Sequence, residues 1–454
     1  MLLLDTIQEL SLRLKSTIRA QLDVESRRLF KNSSLVFIAN VIFIGGVFAQ
    51  SVLLGRSLGV ELYGIFILIV YFVESINEFL NLNINLAMVK FVSEYKSAEE
   101  HGKVVAFVKG SLIFSVIFSF FSVCIVTFIV YFAYGIFIKK PGLEYYIIAY
   151  ALGKSLSFFT NISTCLLRVY DKFKLYSGIR ILMAFFEFSF VICAVFLFPR
   201  KLSMLFVAVI CARLIGNAMC VGAVIWKLGA HFHSYLHVKP SILREQWKEI
   251  RNFVVSTSAQ RTIKQLISRG DVLILGVLAT PVQVGYYAIA KKLAYSICLI
   301  FDPMIISVYP QLALLVSKKR FNEITVMLKK ISKIFSVPLI LFITFAFFLN
   351  KWIVSIIYGS EYTMAGKAFF LLLITSCITL FFFWLGPILF SFGRVVFTLN
   401  VNVIALIVGA AIALLLAPSY GAVGVAFAMV IITVIIRVSF LYRAIGELKR
   451  GMNA

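Results

Sequence analysis

The chain has 454 residues, of which 61% are hydrophobic and 14% charged, with a formal net charge of +24. A soluble domain carries about 25% charged residues and is about half apolar, so this composition points away from a water-soluble fold. The apolar residues fall in blocks of about eighteen or more, each long enough to cross a bilayer as a helix. Most of the positive charge lies in short loops between these blocks, where the positive-inside bias accounts for it and a nucleic-acid partner is excluded.

The chain opens with MLLLDTIQEL, which has neither a basic n-region nor a small-residue cleavage site and reads as no signal peptide. Residues 1–30 are predicted to form an interfacial amphipathic helix. Ile7, Leu10, Leu14, Ile18 and Leu22 make one apolar stripe opposite Arg13, Lys15 and Arg19. Twelve spans follow, at 33–55, 64–86, 104–134, 143–165, 178–198, 202–226, 253–276, 285–307, 332–357, 365–391, 395–417 and 421–443.

LLGRSLGVELYGIF at 53–66 and ILGVLATPVQVGYY at 274–287 share a Gly-x8-Gly outline. Gly55 aligns with Gly276 and Gly64 with Gly285, both at an offset of 221 (276 − 55 and 285 − 64). Pro199 and Pro418 align at 219 (418 − 199), and the basic loops fall into step. The chain therefore reads as a tandem repeat of six spans, all-α and polytopic, in two parallel lobes. The lobes are expected at 31–226 and 252–446, with a linker at 227–251 lying on the headgroups and a tail at 447–454. The paired glycines suit a tight hairpin and close approach of helix ends. Basic residues in the N-terminal tail (Arg27, Arg28, Lys31) and in the even-numbered loops (Lys90, Lys172, Lys248, Lys319, Arg394) place both termini in the cytoplasm.

Glu74, Glu78, Lys154, Glu187, Arg213, Arg261 and Lys264 lie inside predicted spans. At about 2.5–3.5 kcal/mol each, seven such charges facing lipid would cost roughly 20 kcal/mol, more than the usual folding margin of about 5–15 kcal/mol. They must face a wet cavity or one another. Lys154, Ser157, Asn161, Thr164 and Arg168 form one polar stripe at helical spacing; Glu74, Glu78, Asn81 and Asn85 form a second. Arg213 pairs with Asn217 on the sixth span, and Arg261, Lys264, Gln265 and Ser268 cluster on the seventh, followed by Arg269 and Asp271. Glu187 with Lys154, or Asp271 with Arg269, could form internal salt bridges. The surplus of basic residues predicts a cationic cavity for an anionic substrate.

Other signals carry no chemistry. Gly153-Lys154-Ser155 looks like the end of a phosphate loop, but position 148 is Ile and the site is in a span. His231, His233 and His237 lack nearby Cys or acidic partners, and no metal or cofactor is expected. Asn161-Ile162-Ser163 is a glycosylation sequon buried in a span. Cys124, Cys165, Cys193, Cys211, Cys220, Cys298 and Cys377 sit in apolar blocks as small buried hydrophobes. No outer loop is large enough to carry a catalytic domain, so the chain does not read as an enzyme.

Over about residues 31–446 the sequence resembles the polysaccharide (O-antigen type) flippases of the multidrug/oligosaccharidyl-lipid/polysaccharide exporter superfamily. The resemblance is carried by LLGRSLGVELYGIF, LNINLAMVKFVSEYKSAEE, LLRVYDKFKLYSGIR, SRGDVLILGVLATPVQVGYYAIAKKLA, IIYGSEYTMAG and APSYGAVGVAFAM. It implies a V-shaped exporter of twelve helices in the inner cell membrane, moving an undecaprenyl-diphosphate-linked glycan, such as a lipopolysaccharide repeat unit, to the outer leaflet. Partners would be that lipid-linked glycan, membrane lipids and polysaccharide polymerase machinery. The resemblance carries the lumen cations to Lys154, Arg168, Arg213, Arg261, Lys264 and Arg269 by position type, and Glu74, Glu78 and Asp271 stand as candidates for ion coupling. Ion-site residues of drug-exporting relatives have no clean match in the first span, where Asn40 and Gln50 are the strongly polar residues. A cation-coupled multidrug exporter is the alternative, and would require an acidic cavity. A membrane-embedded glycan polymerase or ligase would require an outer loop with acid–base residues.

Overall fold

The computed structural model describes residues 24–80, 82–137, 142–233 and 237–453. The amphipathic stripe expected at the N-terminus and Asn81 lie outside the described residues. Among the described residues twelve long helices follow one another and no strand occurs. They are α1 (24–58), α2 (60–80), α3 (His101–Phe137), α4 (Glu144–Ser155 and Ser157–Val169), α5 (Phe173–Leu197) and α6 (Leu202–His233). After a 3-10 turn at Pro240–Leu243 come α7 (Trp247–Leu278), α8 (Pro281–Ser317), α9 (Phe321–Tyr358), α10 (Gly366–Phe381 and Leu385–Ser391), α11 (395–420) and α12 (422–453).

Among the described residues seven segments are long and apolar enough to cross a membrane, and two of them, Ile38–Leu80 and Val395–Met452, are each long enough for two crossings. The three remaining helices are α4, α7 and α8. These carry Lys154 and Arg168, then Arg261 to Asp271, then Lys291 and Lys292.

Two helix breaks fall at glycines other than those the repeat singles out, whereas α7 and α8 are joined through Ala279 and Thr280 with no glycine at the turn. Gly59 (φ 74°) breaks α1 from α2, and Gly421 (φ 52°) breaks α11 from α12; both backbones are left-handed, where a side chain is strained. The repeat glycines instead permit close approach. A Cβ on Gly64 would lie 1.9 Å from the Pro281 carbonyl oxygen, and one on Gly285 would lie 2.4 Å from that of Val60. On Gly276 it would meet Leu68 Cδ1 at 2.2 Å, and on Gly55 Tyr358 Cδ1 at 2.7 Å. The two hairpins therefore pack backbone to backbone, joining the halves at this end. Polar contacts fasten the seam: Tyr362 donates its hydroxyl to the Gly55 carbonyl at 2.9 Å, Arg56 Nε donates to that of Ile357 at 2.9 Å, and the Ser51 and Tyr358 hydroxyls lie 2.9 Å apart.

Three sequence readings change at the opposite, basic end. The second polar stripe is not one helix: α2 stops at Leu80, Asn83 is left-handed (φ 43°), and Asn85 belongs to a separate helical turn, Ile84–Ala87. That turn runs on through a π turn, Met88–Val92, to Ser93–Ser97. The fourth span bends at Leu156, yet Lys154 and Arg168 still face one cavity. The linker is shorter than 227–251, because α6 continues to His233 and α7 begins at Trp247. Nor does it simply lie on the surface. Leu243 and Ile250 are buried in a second apolar core with Phe91, Val104 and Phe107, since a chain with apolar residues at this spacing gains more by packing on protein than on headgroups.

Overpacking costs about 1–3 kcal/mol at a close contact. Gly64→Val and Gly285→Val are therefore expected to part the hairpin end, whereas Gly45→Val, with nothing within 4 Å of an added Cβ, should not. A cysteine placed at Val284, which is fully buried beside the crossing, reports this as new labelling by a membrane-impermeant maleimide in the first two variants only.

Candidate functional site: cationic cavities divided by two glutamates

Two polar cavities open in the halves of the molecule. One, of about 470 Å³, is lined by Lys154, Arg168, Arg180, Arg213 and Glu187, with Asn161 and Asn217 between them. The other, of about 860 Å³, is lined by Arg261, Lys264, Lys291 and Arg437, with Gln260, Ser268 and Asn402. Eight basic side chains against one acidic one make the combined lining strongly cationic. Arg213 Nη1 and Arg437 Nε are buried donors with no hydrogen-bond partner among the described residues. A buried donor left unmade is costly, and an anionic oxygen satisfies it.

Between the cavities stands α2. Glu74 Oε1 lies 3.4 Å from Lys154 Nζ and 3.4 Å from Arg213 Nη2, while its Oε2 accepts from Arg269 Nη1 at 2.7 Å. The Tyr150 hydroxyl reaches the same carboxylate at 3.5 Å, and its ring lies 4.8 Å beneath the Arg213 guanidinium. One turn on, Glu78 accepts from Arg261 Nε at 3.1 Å and also from its Nη2, and Arg261 Nη1 donates to Asn83 Oδ1 at 3.3 Å. Glu74 thus draws cations from α4, α6 and α7 at once, and Glu78 a fourth from α7. The spacing of four residues puts both carboxylates on one face of α2, directed at α7.

Most of the expected site residues meet here: Lys154, Arg168, Arg213, Arg261 and Lys264 all line the cavities. Lys264 is exposed into the larger one. Arg168 is held by its own helix, donating to the Thr164 carbonyl at 3.4 Å and to Cys165 Sγ at 3.0 Å. Arg269 lines neither cavity and pairs with Glu74. Asp271 is buried and lines neither cavity, but it accepts from Lys291 Nζ, which lines the larger one, at 2.6 Å, from the Tyr287 hydroxyl at 2.5 Å and from the Val272 amide at 2.8 Å. The salt bridges expected from sequence change partners accordingly. Lys154 pairs with Glu74 in place of Glu187, and Asp271 with Lys291 in place of Arg269.

Three cavity cations lie outside the expected site set: Arg437, Arg180 and Lys291. Arg437 stands alone in the apolar run VIITVIIRVSF, a signal that intramembrane charge accounting would have caught. It donates Nη1 at 3.4 Å to the Phe382 carbonyl, at the break in α10, which also accepts the Leu385 amide at 3.2 Å. Arg180 stands at the start of the expected fifth span, where it counts with the basic loop before it; α5 begins at Phe173 and so holds it two turns inside the helix. Among the described residues no group of three His, Cys, Asp or Glu side chains is placed to hold a metal.

The sequence profile of the family described as "Polysaccharide biosynthesis protein" matches residues 22–367. A search of curated proteins returned no match. Among solved structures, the chain is similar to the inward-facing conformation of a multidrug resistance MATE family transporter of the MOP superfamily. That match has a TM-score of 0.70 and 12% identity, covering 90% of this chain and 95% of that one. It is also similar to the lipid II flippase MurJ in an inward closed conformation, with a TM-score of 0.67 and 14% identity over 93% of this chain and 90% of that one. A mutant of the Vibrio cholerae MATE transporter VcmN matches with a TM-score of 0.60 and 12% identity, over 93% of this chain and 97% of that one. At these identities the likeness is one of fold, and the fold is that of the two-lobed exporters.

Removing one partner of a buried ion pair costs about 3–5 kcal/mol, because the other charge is left uncompensated. The Glu74 side chain is 14% exposed and has three cationic partners. Glu74→Gln should therefore lower the thermal unfolding midpoint of the purified protein clearly. Glu74→Gln combined with Arg269→Gln should recover part of that loss. An unchanged midpoint in the single variant would show that the hub contributes nothing to stability.

Proposed function

The chain belongs to the polysaccharide biosynthesis protein family, and on that premise we propose that it is a flippase moving a lipid-linked glycan from the cytoplasmic to the outer leaflet by alternating access. The observation that supports this most is the pair of cation-lined cavities within the exporter fold. A polyprenyl-diphosphate-linked sugar presents one strongly anionic group between an apolar chain and a polar head. Arginine forks and lysines hold phosphate oxygens by short charge-assisted bonds, and polar cavity walls suit a glycan. A multidrug exporter of cationic compounds is the second reading, favoured by the MATE-like fold. Eight basic linings against one acidic disfavour it, since like charge repels such a cargo.

In this reading the six-helix lobes are 31–226 and 252–446, and the protein resides in the inner membrane with both termini in the cytoplasm. Its partners are the lipid-linked substrate, membrane lipids and polymerase machinery that consumes the exported unit. Glu74 and Glu78 act as counter-ions for the lumen cations when substrate is absent, and Asp271 braces α7 on α8. None of the three is then a carrier of a coupling ion.

Reconstituted proteoliposomes with a lipid-linked oligosaccharide test these roles. Lys264→Ala should slow flipping about tenfold, the worth of one charge-assisted phosphate contact of about 1.5 kcal/mol. Arg261→Lys should retain part of the rate, because charge remains while the bidentate fork is lost. Export of a cationic dye with no movement of the glycan lipid would instead establish the drug exporter. Glu78→Gln should leave any response to an imposed pH gradient unchanged; loss of that response would assign it to ion coupling.

A further inference from the structure

A third cavity lies apart from the charged pair, at the basic end. It is a cleft of about 500 Å³ walled by α3, α7, the Pro240–Leu243 turn and residues 82–87. Its inner surface is apolar, with Ile84, Ala87, Phe107 and Val254, and its mouth carries Arg244, Trp247 and Arg251. Both arginines are exposed, and Trp247 stacks on Phe114 with ring centroids 6.2 Å apart. Ile113 and Val255, also on the cleft, are 53% and 59% exposed. An apolar groove edged by a tryptophan and two arginines has the layering of a membrane interface, with hydrocarbon below and phosphate above.

What sets this cleft apart from a lipid-facing crevice is its back wall. Along residues 82–87, Leu82, Ile84 and Ala87 face the cleft, Asn83 and Leu86 face the larger charged cavity, and Asn85 faces the smaller one. One helical turn separates hydrocarbon from the cationic lumen. It is tied to α7 by a single side chain: Asn83 Nδ2 donates to the Thr257 carbonyl at 3.4 Å, and Asn83 Oδ1 accepts from Arg261 Nη1 at 3.3 Å. α2 gives up its helical bonds at Leu80, and Asn83 takes a left-handed backbone, to build this partition.

We propose that the cleft is the docking groove for the polyisoprenoid chain of the lipid-linked substrate, with Arg244 and Arg251 receiving its diphosphate at the membrane surface. The inference rests on the flippase reading and adds where the lipid half of the substrate sits. Charge complementarity at the mouth and continuity with the cationic lumen through the Asn83 partition select this occupant over a bulk phospholipid. The chain remains in hydrocarbon while the diphosphate needs to move only one helix width, past Asn83, to reach Arg261.

The test uses the full-length protein in nanodiscs and radiolabelled undecaprenyl diphosphate as probe. A photoreactive benzophenone side chain replaces Ile113 in the cleft or, separately, Gln260 in the larger cavity. Labelling at Ile113 is expected, competed by unlabelled undecaprenyl diphosphate and not by phosphatidylglycerol. Arg244→Ala with Arg251→Ala should reduce it about tenfold, since two interfacial cations are lost. Gly110→Phe should abolish it: Gly110 lines the cleft, and an added Cβ there meets nothing within 4 Å, so the ring fills the groove without disturbing α3. An unchanged size-exclusion profile and thermal unfolding midpoint of that variant show that it is folded. Equal competition by phosphatidylglycerol would make the cleft a general lipid crevice and overturn the proposal. Labelling at Gln260 alone would overturn it while leaving the flippase reading intact. Labelling at neither position would remove both.

Discussion

The arrangement depends on the cost of charge in a medium that cannot solvate it. Glu74 is the carboxylate on which three cations from three helices converge, and the positions of α4, α6 and α7 around α2 follow from that convergence. In lipid, apolar surfaces gain nothing by leaving water, so helix association comes from packing and from polar contacts. Packing alone is tolerant of rotation; a carboxylate with Lys154, Arg213 and Arg269 within 3.4 Å is not. Rotating α2 by one residue would carry Glu74 about 100° away and leave all three cations unpaired. The hub therefore fixes the azimuth of α2 and decides which faces of α4 and α6 line the smaller cavity.

At the other end geometry takes over from charge. Gly64 and Gly285 let α2 and α8 touch backbone to backbone, at separations where any Cβ would overlap a carbonyl oxygen. The tyrosines around them, Tyr63, Tyr358 and Tyr362, are nearly inaccessible, and Tyr286 meets Tyr362 edge to face with centroids 6.4 Å apart. A seam of small residues and interlocked aromatic rings is well packed when shut and has little to hold it when parted, because no ion pair crosses it among the contacts described. The cavities lie toward the end where the halves meet through Glu74, Glu78 and Asn83. One end is closed by shape, the other bridged by charge that a substrate can replace.

Much of this was legible in the sequence, for identifiable reasons. Hydrophobic blocks are long and charges inside them are rare, so the twelve helices and the cavity cations Lys154, Arg213, Arg261 and Lys264 could be read one residue at a time. The repeat exposed the glycines but not their partners: Gly55 and Gly64 read as both turn and close-approach points, and they serve the second role while the turn is at Gly59. Pairing was the weakest part, since which carboxylate meets which cation depends on helix azimuths that no local pattern records. Arg269 and Asp271 lie two residues apart, about 200° around α7, and accordingly serve different neighbours, one on α2 and the other on α8. The break after Leu80 gave a misleading signal, because Asn81 and Asn85, three and seven residues after Glu78, continue a polar helix face in the sequence whether or not the helix is interrupted there.

The two kinds of bond made by α2 have different fates in an alternating-access cycle. Its links to Lys154 and Arg213 lie within the first six helices, whereas those from Arg269 and Arg261 come from α7 in the second six. Rocking of one half against the other preserves the first pair and breaks the second. Breaking a desolvated ion pair with nothing to replace it is prohibitive, at several kcal/mol for each charge exposed to a low dielectric. Under the proposed function, a diphosphate entering from the basic end would offer replacement oxygens to Arg261 in the same step that Glu78 loses it. Binding energy for the anion then appears as the freedom of α2 and α7 to part, and an empty carrier stays bridged. Coupling of this kind asks only that substrate and glutamates compete for the same arginines, a competition that the position of Arg261, on the cavity wall and bonded to Glu78, already sets up.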